Sequence, residues 1–253
     1  MMPGIIRKLD SVKKNLGQIY LHSSIHDSVP FGVLLAIVGG FLDAYTFITR
    51  DGVFANAQTG NIVLLGVYAA QGDWGQALVH LPPLLAFVIG VFVTEVFKHL
   101  SGKFFILDWK QLALIFESII LFIIGFIPQT APDIIVTVII SFVASIQVCS
   151  FSKLVDSPYS TTMSTGNLRS ATQAAYQGIF QKDHLAAIRS IRYFTIIISF
   201  ISGGFIGGLI TFMFGIKSIF FTVFLLVFCV LLLNIERAKT TSEATVKNPI
   251  NHQ

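Results

Sequence analysis

Long apolar runs separated by short polar stretches fill the chain from about residue 31 to residue 233. A helix needs roughly 20 residues, within a range of about 17 to 25, to cross the hydrocarbon core of a membrane. Six segments fit this pattern, the third being short: residues 31–49, 81–97, 112–127, 134–151, 193–214 and 216–233. The pattern therefore predicts an all-α integral membrane protein with six transmembrane helices.

A second pattern is a repeated polar motif. Thr-Gly-Asn occurs at residues 59–61 and again 106 positions later, at residues 165–167, each time among apolar stretches. A polar, helix-starting motif at corresponding points of two halves is typical of transporter sites. The offset divides the membrane region into two predicted repeats, residues 30–128 and 129–235.

The segment that starts at the first motif is too short to cross a membrane. Its 14 residues, from 59 to 72, would form a helix of about 21 Å, whereas the hydrocarbon core is ~30 Å thick. We therefore expect both motif segments to be re-entrant, so that an extended loop enters the membrane and a half-helix returns to the same side.

The placement of Lys and Arg distinguishes six crossings from eight, because basic residues accumulate on the cytoplasmic side. Six crossings with a cytoplasmic N-terminus place 14 basic residues inside, two outside and Arg169 within the membrane, whereas eight crossings give 10 inside and six outside. Six crossings are favoured. Each half then has three crossings, so the two repeats are inverted and both half-helices begin near the midplane.

The two ends of the chain differ from the membrane region. Residues 1–29 carry apolar and basic positions at the spacing of an amphipathic helix that lies on a membrane surface, and a basic tail that only sets orientation is the equal alternative. Residues 236–253 are polar, and a disordered tail is expected there. Both ends are expected in the cytoplasm.

Composition agrees with a membrane protein. Hydrophobic residues make up 54% of the chain and charged residues 12%, with a mean hydropathy of +0.76. A soluble domain carries about twice this charged fraction. The net charge of +4 comes from residues at the two ends and in a few loops, which excludes a nucleic-acid-binding stripe and suits a lipid bilayer as the partner.

The sequence lacks the patterns of an enzyme or a metal protein. It has no Ser–His or Cys–His arrangement, no metal-ligand cluster and no nucleotide-binding loop. Cys149 and Cys229 lie in apolar stretches and are interpreted as buried small side chains. His22 and His26 have the spacing of a helical metal pair, but no third ligand accompanies them. We therefore expect no enzyme activity, no metal and no cofactor.

The two motifs predict a candidate solute site. A helix start presents unpaired N–H groups and a partial positive charge, the Thr hydroxyl can cap it, Gly allows close approach and Asn adds a polar side chain. The alternative is that the motifs only cap two buried helices. The predicted site residues are Thr59, Gly60, Asn61, Thr165, Gly166, Asn167, Asp43 and Arg169.

Three charged residues in apolar surroundings add alternatives. A carboxylate at Asp43 costs at least ~2.5–3.5 kcal/mol unless it is paired, hydrated or protonated. It is therefore a proton-coupling group, a ligand counter-ion, or a structural partner of Arg169 or of a helix start. Arg169 either binds an anionic substrate, pairs with Asp43 or anchors the chain at the cytoplasmic vestibule. Glu117 is expected to face interfacial water rather than to relay protons.

Small residues in the fifth crossing indicate close helix packing, either within the fold or between two copies of the chain. The surface for a homo-oligomer would be formed by Gly203, Gly204, Gly207 and Gly208.

Two stretches, Gly-Gly-Phe-Leu-Asp-Ala-Tyr at residues 39–45 and Phe-Ala-Asn-Ala-Gln-Thr-Gly-Asn at residues 54–61, resemble the signature of the YoaK-like family. The resemblance covers about residues 30–235 and leaves out the basic N-terminal segment. It implies a small multi-pass protein of the bacterial cytoplasmic membrane with a domain of unknown function, and it implies no substrate or mechanism. The motif positions that it marks are Asp43, Thr59, Gly60 and Asn61.

Two functions are compatible with these patterns. The first is a secondary transporter or channel for a small polar or anionic solute, with proton coupling through Asp43 as one version. The alternative is a non-transporting membrane protein that assembles with or regulates a partner.

Overall fold

The computed structural model describes residues 24–104, 109–162 and 164–247, and helices dominate this part of the chain. Nine α-helices lie in it: α1 Val29–Thr49, α2 Gln58–Ala70, α3 Trp74–Val79, α4 Leu81–Phe104, α5 Trp109–Ile124, α6 Asp133–Ser150, α7 Ser164–Phe180, α8 His184–Phe214 and α9 Ile219–Lys247. Two 3-10 turns, Ile25–Asp27 and Gly215–Ser218, precede α1 and α9. A hairpin of β1 Lys153–Leu154 and β2 Ser157–Pro158 lies between α6 and α7.

Four continuous helical stretches are long and apolar enough to cross a membrane. They are Val29–Thr49, Trp74–His99, Asp133–Ser150 and His184–Ala238. The last has 55 residues and contains α8 and the part of α9 up to Ala238; the two helices are separated at Gly215, where φ is 56°. The predicted crossings overlap α1, α4, α5, α6, α8 and α9, but α5 has only 16 residues and is not among the four stretches.

The motif segments are short helices, as expected. α2 has 13 residues and α7 has 17, which corresponds to about 20 and about 25 Å. The C-terminal tail differs from the prediction, because α9 continues through Lys247 and residues 236–247 are helical rather than disordered. Most of the predicted amphipathic segment, and residues 248–253, lie outside the described residues.

The most extensive helix contact joins α1 to α8, and glycines make it possible. A Cβ at Gly207 would lie 2.7 Å from Cα of Phe41, and a Cβ at Gly203 would collide with the carbonyl oxygen of Ile37. The backbones of the two helices therefore touch. Of the two alternatives for these glycines, the structure thus shows packing within the fold for Gly203 and Gly207, which are buried against α1 of the same chain.

Apolar side chains from α1, α5, α6 and α9 form the main core, in which α4 also packs along α6 and α5 packs along α9. Members that are almost completely buried include Phe41, Leu114, Leu121, Ile140 and Leu226. Burial of such side chains stabilises the bundle by about 1.5–3 kcal/mol each when they leave water, and by close packing when they leave lipid.

Ion pairs tie the ends of the helices together. Arg50, at the end of α1, is fully buried and donates to Oδ1 of Asp133, at the start of α6, at 2.7 Å. Lys110, in the first turn of α5, donates to Oδ1 of Asp27, just before α1, at 3.0 Å. The first pair therefore fixes the end of α1 to the start of α6, and the second pair fixes the start of α5 to the turn that precedes α1.

Gly207→Ala is expected to lower the free energy of unfolding by about 1–3 kcal/mol, because the new methyl group meets the backbone of α1, which cannot move aside. The matched control is Gly208→Ala, where the nearest atom to the new Cβ is Cδ1 of Ile48 at 3.9 Å. Thermal unfolding of both variants in detergent measures the difference. Equal melting temperatures for both variants would contradict close contact of α1 and α8.

Candidate functional site

Two loops, residues 50–57 and 151–162, lead toward the starts of α2 and α7, and both reach the middle of α1. Gly39 is the central residue of the 21-residue α1. Its carbonyl oxygen accepts a hydrogen bond from Nδ2 of Asn56 at 3.1 Å, and a Cβ built on it would lie 2.7 Å from Cγ2 of Thr162. The ends of both loops therefore meet halfway along one long helix.

The first loop also reaches the middle of α6. Ser141 is the ninth of the 18 residues of that helix, and its hydroxyl donates to the carbonyl oxygen of Ala55 at 3.0 Å. The loop end thus lies between the central turns of two long apolar helices.

Each motif asparagine holds the loop that precedes it. The amide of Phe54 donates to Oδ1 of Asn61 at 3.0 Å, and Nδ2 of Asn61 donates back to the carbonyl oxygen of Phe54 at 2.8 Å. Asn167 makes the same two bonds with Ser160, at 3.2 and 2.6 Å. Both asparagines are buried. We call this arrangement the asparagine clasp; it satisfies a backbone N–H and C=O that would otherwise be unpaired.

Asp43 acts on the first loop only. Its Oδ1 accepts hydrogen bonds from the backbone amides of Asn56 at 2.6 Å and Ala57 at 3.2 Å, the two residues before α2. Its Oδ2 is buried and, among the described residues, has no hydrogen-bond partner. Of the alternatives for Asp43, the structure thus shows contact with a helix start.

The starts of α2 and α7 border one cavity of about 330 Å³. Its lining residues are Asn56, Ala57, Gln58, Thr59, Phe87, Thr162, Ser164, Thr165, Gly166 and Phe200. Phe87 comes from α4, and Phe200 comes from the middle of α8. The cavity is therefore bounded by two polar helix starts and two aromatic side chains.

Two polar atoms of the lining residues have no partner in the described part of the chain. They are Oδ1 of Asn56 and Oγ1 of Thr162, both buried. Burying a polar group without a hydrogen bond is costly, so such atoms are candidates for contact with a ligand.

The predicted site residues divide into three groups. Thr59, Thr165 and Gly166 line the cavity. Asp43, Gly60, Asn61 and Asn167 lie behind its wall, where Gly60 approaches the ring of Phe54 and the others hold the loops. Arg169 is exposed on α7 and does not line the cavity.

Asp43 and Arg169 form no ion pair among the described residues, since Oδ1 of Asp43 is bonded to backbone amides instead. The alternative that pairs these two residues is thus wrong.

Several lining residues are not among those predicted from the sequence, although the repeat offset gives a signal for some of them. Asn56 and Thr162 are 106 positions apart, as are Gln58 and Ser164. Both pairs precede the motifs, three residues and one residue before the threonine, so the offset applied to the neighbours of Thr-Gly-Asn would have found them. Phe87 and Phe200 have no such relation, and only packing brings them to the cavity.

The prediction that Glu117 faces interfacial water is wrong. Glu117 is fully buried between α5 and α6, where its Oε2 accepts a hydrogen bond from Nε2 of Gln147 at 2.9 Å. Cys229 is buried and Cys149 is partly buried, both as free thiols. The described residues contain no group of three or more His, Cys, Asp or Glu side chains that could hold a metal ion.

The long apolar helices, together with the family model and the relative described next, define a multi-pass helical membrane protein. A family model described as a protein of unknown function, DUF1275, matches residues 31–232. The chain is 28% identical over 155 residues to the UPF0700 transmembrane protein YoaK of Bacillus subtilis (strain 168), covering 59% of this chain and 68% of YoaK. No solved structure matches it. The chain therefore belongs to the DUF1275 family, which confirms the resemblance to YoaK-like proteins.

Asn61→Ala is expected to lower the free energy of unfolding by about 1–3 kcal/mol, because it breaks the clasp on Phe54 and leaves a buried backbone pair unsatisfied. Hydrogen exchange at residues 53–57 should become faster. Thr59→Ala is the control, since it removes an exposed hydroxyl from the same helix start. Unchanged exchange in Asn61→Ala would show that the clasp does not hold the loop.

Proposed function

We propose that the protein is a secondary transporter or channel for a small polar or anionic solute. One observation carries this proposal: two Thr-Gly-Asn helix starts, 106 residues apart in sequence, border the same cavity at the middle of the long helices. Broken helices whose ends meet at mid-depth are the usual construction of solute sites in transporters. Orphan N–H groups at such ends bind polar or anionic groups.

The ion pairs at the helix ends support six crossings over eight. With two re-entrant segments, Arg50 and Asp133 lie on the outer side, and Asp27 and Lys110 lie on the inner side. If α2 and α7 crossed the membrane instead, the two members of each pair would lie on opposite sides, about 30 Å apart. The distances of 2.7 and 3.0 Å are those that six crossings predict, and they support that arrangement.

The packing pattern supports inverted repeats. The offset of 106 residues relates α1 to α6, α2 to α7, α4 to α8 and α5 to α9. Applying it to the extensive contact of α1 with α8 gives the contact of α6 with α4, which is also extensive. Because the offset relates α5 to α9, the contact between these two helices is its own counterpart. The contacts of α1 with α8, α6 with α4 and α5 with α9 follow the offset and support two halves, each with three crossings and one half-helix, whereas the contact of α7 with α8 is more extensive than its counterpart of α2 with α4.

Asp43 is the coupling group in this proposal. One carboxylate oxygen holds the amides before α2, and the other has no partner in the described part of the chain. Gaining or losing a proton at this carboxyl would change the strength of both amide bonds, and thereby the position of Asn56 in the cavity wall. This links proton binding to the site without any enzymatic step, metal or cofactor.

The proposal places the protein in the bacterial cytoplasmic membrane with both termini in the cytoplasm, as the distribution of basic residues favours. A non-transporting assembly or regulatory role is the second candidate. It is favoured by α7, which exposes Thr172, Gln173 and Gln177. Polar side chains at membrane depth need water or another protein to cover them.

Asp43→Asn is expected to fold, because the amide oxygen can still accept from Asn56 and Ala57, and to abolish proton-coupled transport. Purified protein in vesicles is first screened by light scattering for entry of small polar solutes, and the variant is then tested with a solute that enters. Asp51→Asn, at an exposed loop position, is the matched control. Vesicles inert to every solute would contradict the transporter proposal, whereas wild-type rates in Asp43→Asn would contradict only the coupling.

Single-cysteine labelling tests the crossings. With Cys149 and Cys229 replaced, a cysteine at position 73 should react with an impermeant reagent from outside, and a cysteine at position 180 should react only from inside. Labelling of both positions from the inside would indicate eight crossings and would remove the meeting of the two helix starts.

A further inference from the structure

We infer that the cavity binds a small zwitterion, a solute with one carboxylate and one ammonium group, the carboxylate at the start of α7 and the ammonium group at Asn56. This inference rests on the proposed function and adds the substrate class. It follows from a chemical difference between the two helix starts that border the cavity.

The start of α2 already has a carboxylate of its own. Oδ1 of Asp43 accepts hydrogen bonds from the amides of Asn56 and Ala57. The carboxylate of Asp43 therefore occupies the place where a helix start would bind an anion. A second anion at this end would be repelled by Asp43. The end of the cavity next to α2 therefore favours hydrogen-bond donors and cations.

The start of α7 has no such internal anion. The offset of 106 residues relates Asp43 to Cys149, a thiol. No carboxylate accepts a hydrogen bond from residues 164–166 in the described part of the chain. The first N–H groups of this 17-residue helix have no partner within the helix, and its dipole favours negative charge.

A side chain at the start of α7 independently indicates a ligand. Thr162 lines the cavity and is only 4% exposed, yet its hydroxyl has no partner among the described residues. A ligand carboxylate at this end could accept a hydrogen bond from the Thr162 hydroxyl and from the amides of α7.

The opposite end has a matching acceptor. Asn56 lines the cavity and is 3% exposed, and its Oδ1 is unpartnered while its Nδ2 is used by the carbonyl oxygen of Gly39. The carboxylate of Asp43 lies one hydrogen bond behind it. An ammonium group fits here, since it is a donor and a cation, and the rings of Phe87 and Phe200 can contact its carbon skeleton or its charge.

A solute with a single charge would satisfy only one end. An anion would leave Asn56 unpartnered and would face Asp43, and a cation would face the positive end of α7. A zwitterion satisfies both ends, and the volume of about 330 Å³ limits it to a small molecule.

The test uses four probes of similar size with the purified full chain in lipid nanodiscs: L-alanine, propionate, n-propylammonium and 1-propanol. Binding is measured by calorimetry and by the shift in melting temperature. We expect L-alanine to bind at least tenfold more tightly than the three others. Propionate that binds as tightly as L-alanine would overturn the inference and leave a transporter of anions; equally tight binding of n-propylammonium or 1-propanol would also overturn it.

Two variants test the placement of the carboxylate. Thr162→Val should weaken L-alanine binding at least tenfold, whereas Thr161→Val, the same change at a buried neighbour that does not line the cavity, should leave it unchanged. Wild-type affinity in Thr162→Val would overturn the placement.

Failure of the inference is distinguishable from failure of the transporter proposal. If vesicles carry another solute but none of the four probes binds, the substrate class is wrong and the transporter proposal stands. If vesicles are inert to all solutes and no probe binds, both are wrong.

Discussion

Backbone polar groups at the middle of an apolar helix bundle need hydrogen-bond partners, and the rest of this structure depends on how the two loops obtain them. The asparagine clasp supplies these partners in both halves. Asn61 and Asn167 each bond the N–H and the C=O of a residue seven positions earlier, so that a loop can turn into a helix halfway along the long helices. Because both asparagine side chains are engaged in the clasp, the threonines and the helix amides are the motif groups that border the cavity.

Close contact of α1 and α8 determines where the ends of the two loops can lie. Gly203 and Gly207 bring the two backbones together, and Gly39 leaves room for Thr162 beside α1. Larger side chains at these positions would force the helices apart, and the ends of the loops would lose their common contact. The packing between helices therefore determines the geometry of the cavity, because one long helix supports both loop ends.

The two motif segments are alike in their hydrogen bonds and differ in their charged groups. Helix starts and clasps obey the offset of 106 residues, yet Asp43 and Cys149 differ at positions that the offset relates. A carboxylate at one helix start and none at the other gives the cavity two electrically different ends. A duplicated framework can in this way hold a site whose ends prefer different groups, which an exact repeat could not.

The sequence by itself determined the class of protein, the long helices and the two short motif helices, because apolar runs and a repeated polar triplet are local patterns. Among its predicted site residues are Thr59 and Thr165, which line the cavity, but it could not distinguish a lining side chain from one behind the wall, as Asn61 shows. Only the tertiary structure decided that Glu117 is buried, that the glycines pack within one chain, and that Phe87 and Phe200 reach the cavity. The physical reason is that these outcomes depend on which helix faces meet, and contacts between residues far apart in sequence leave no local pattern.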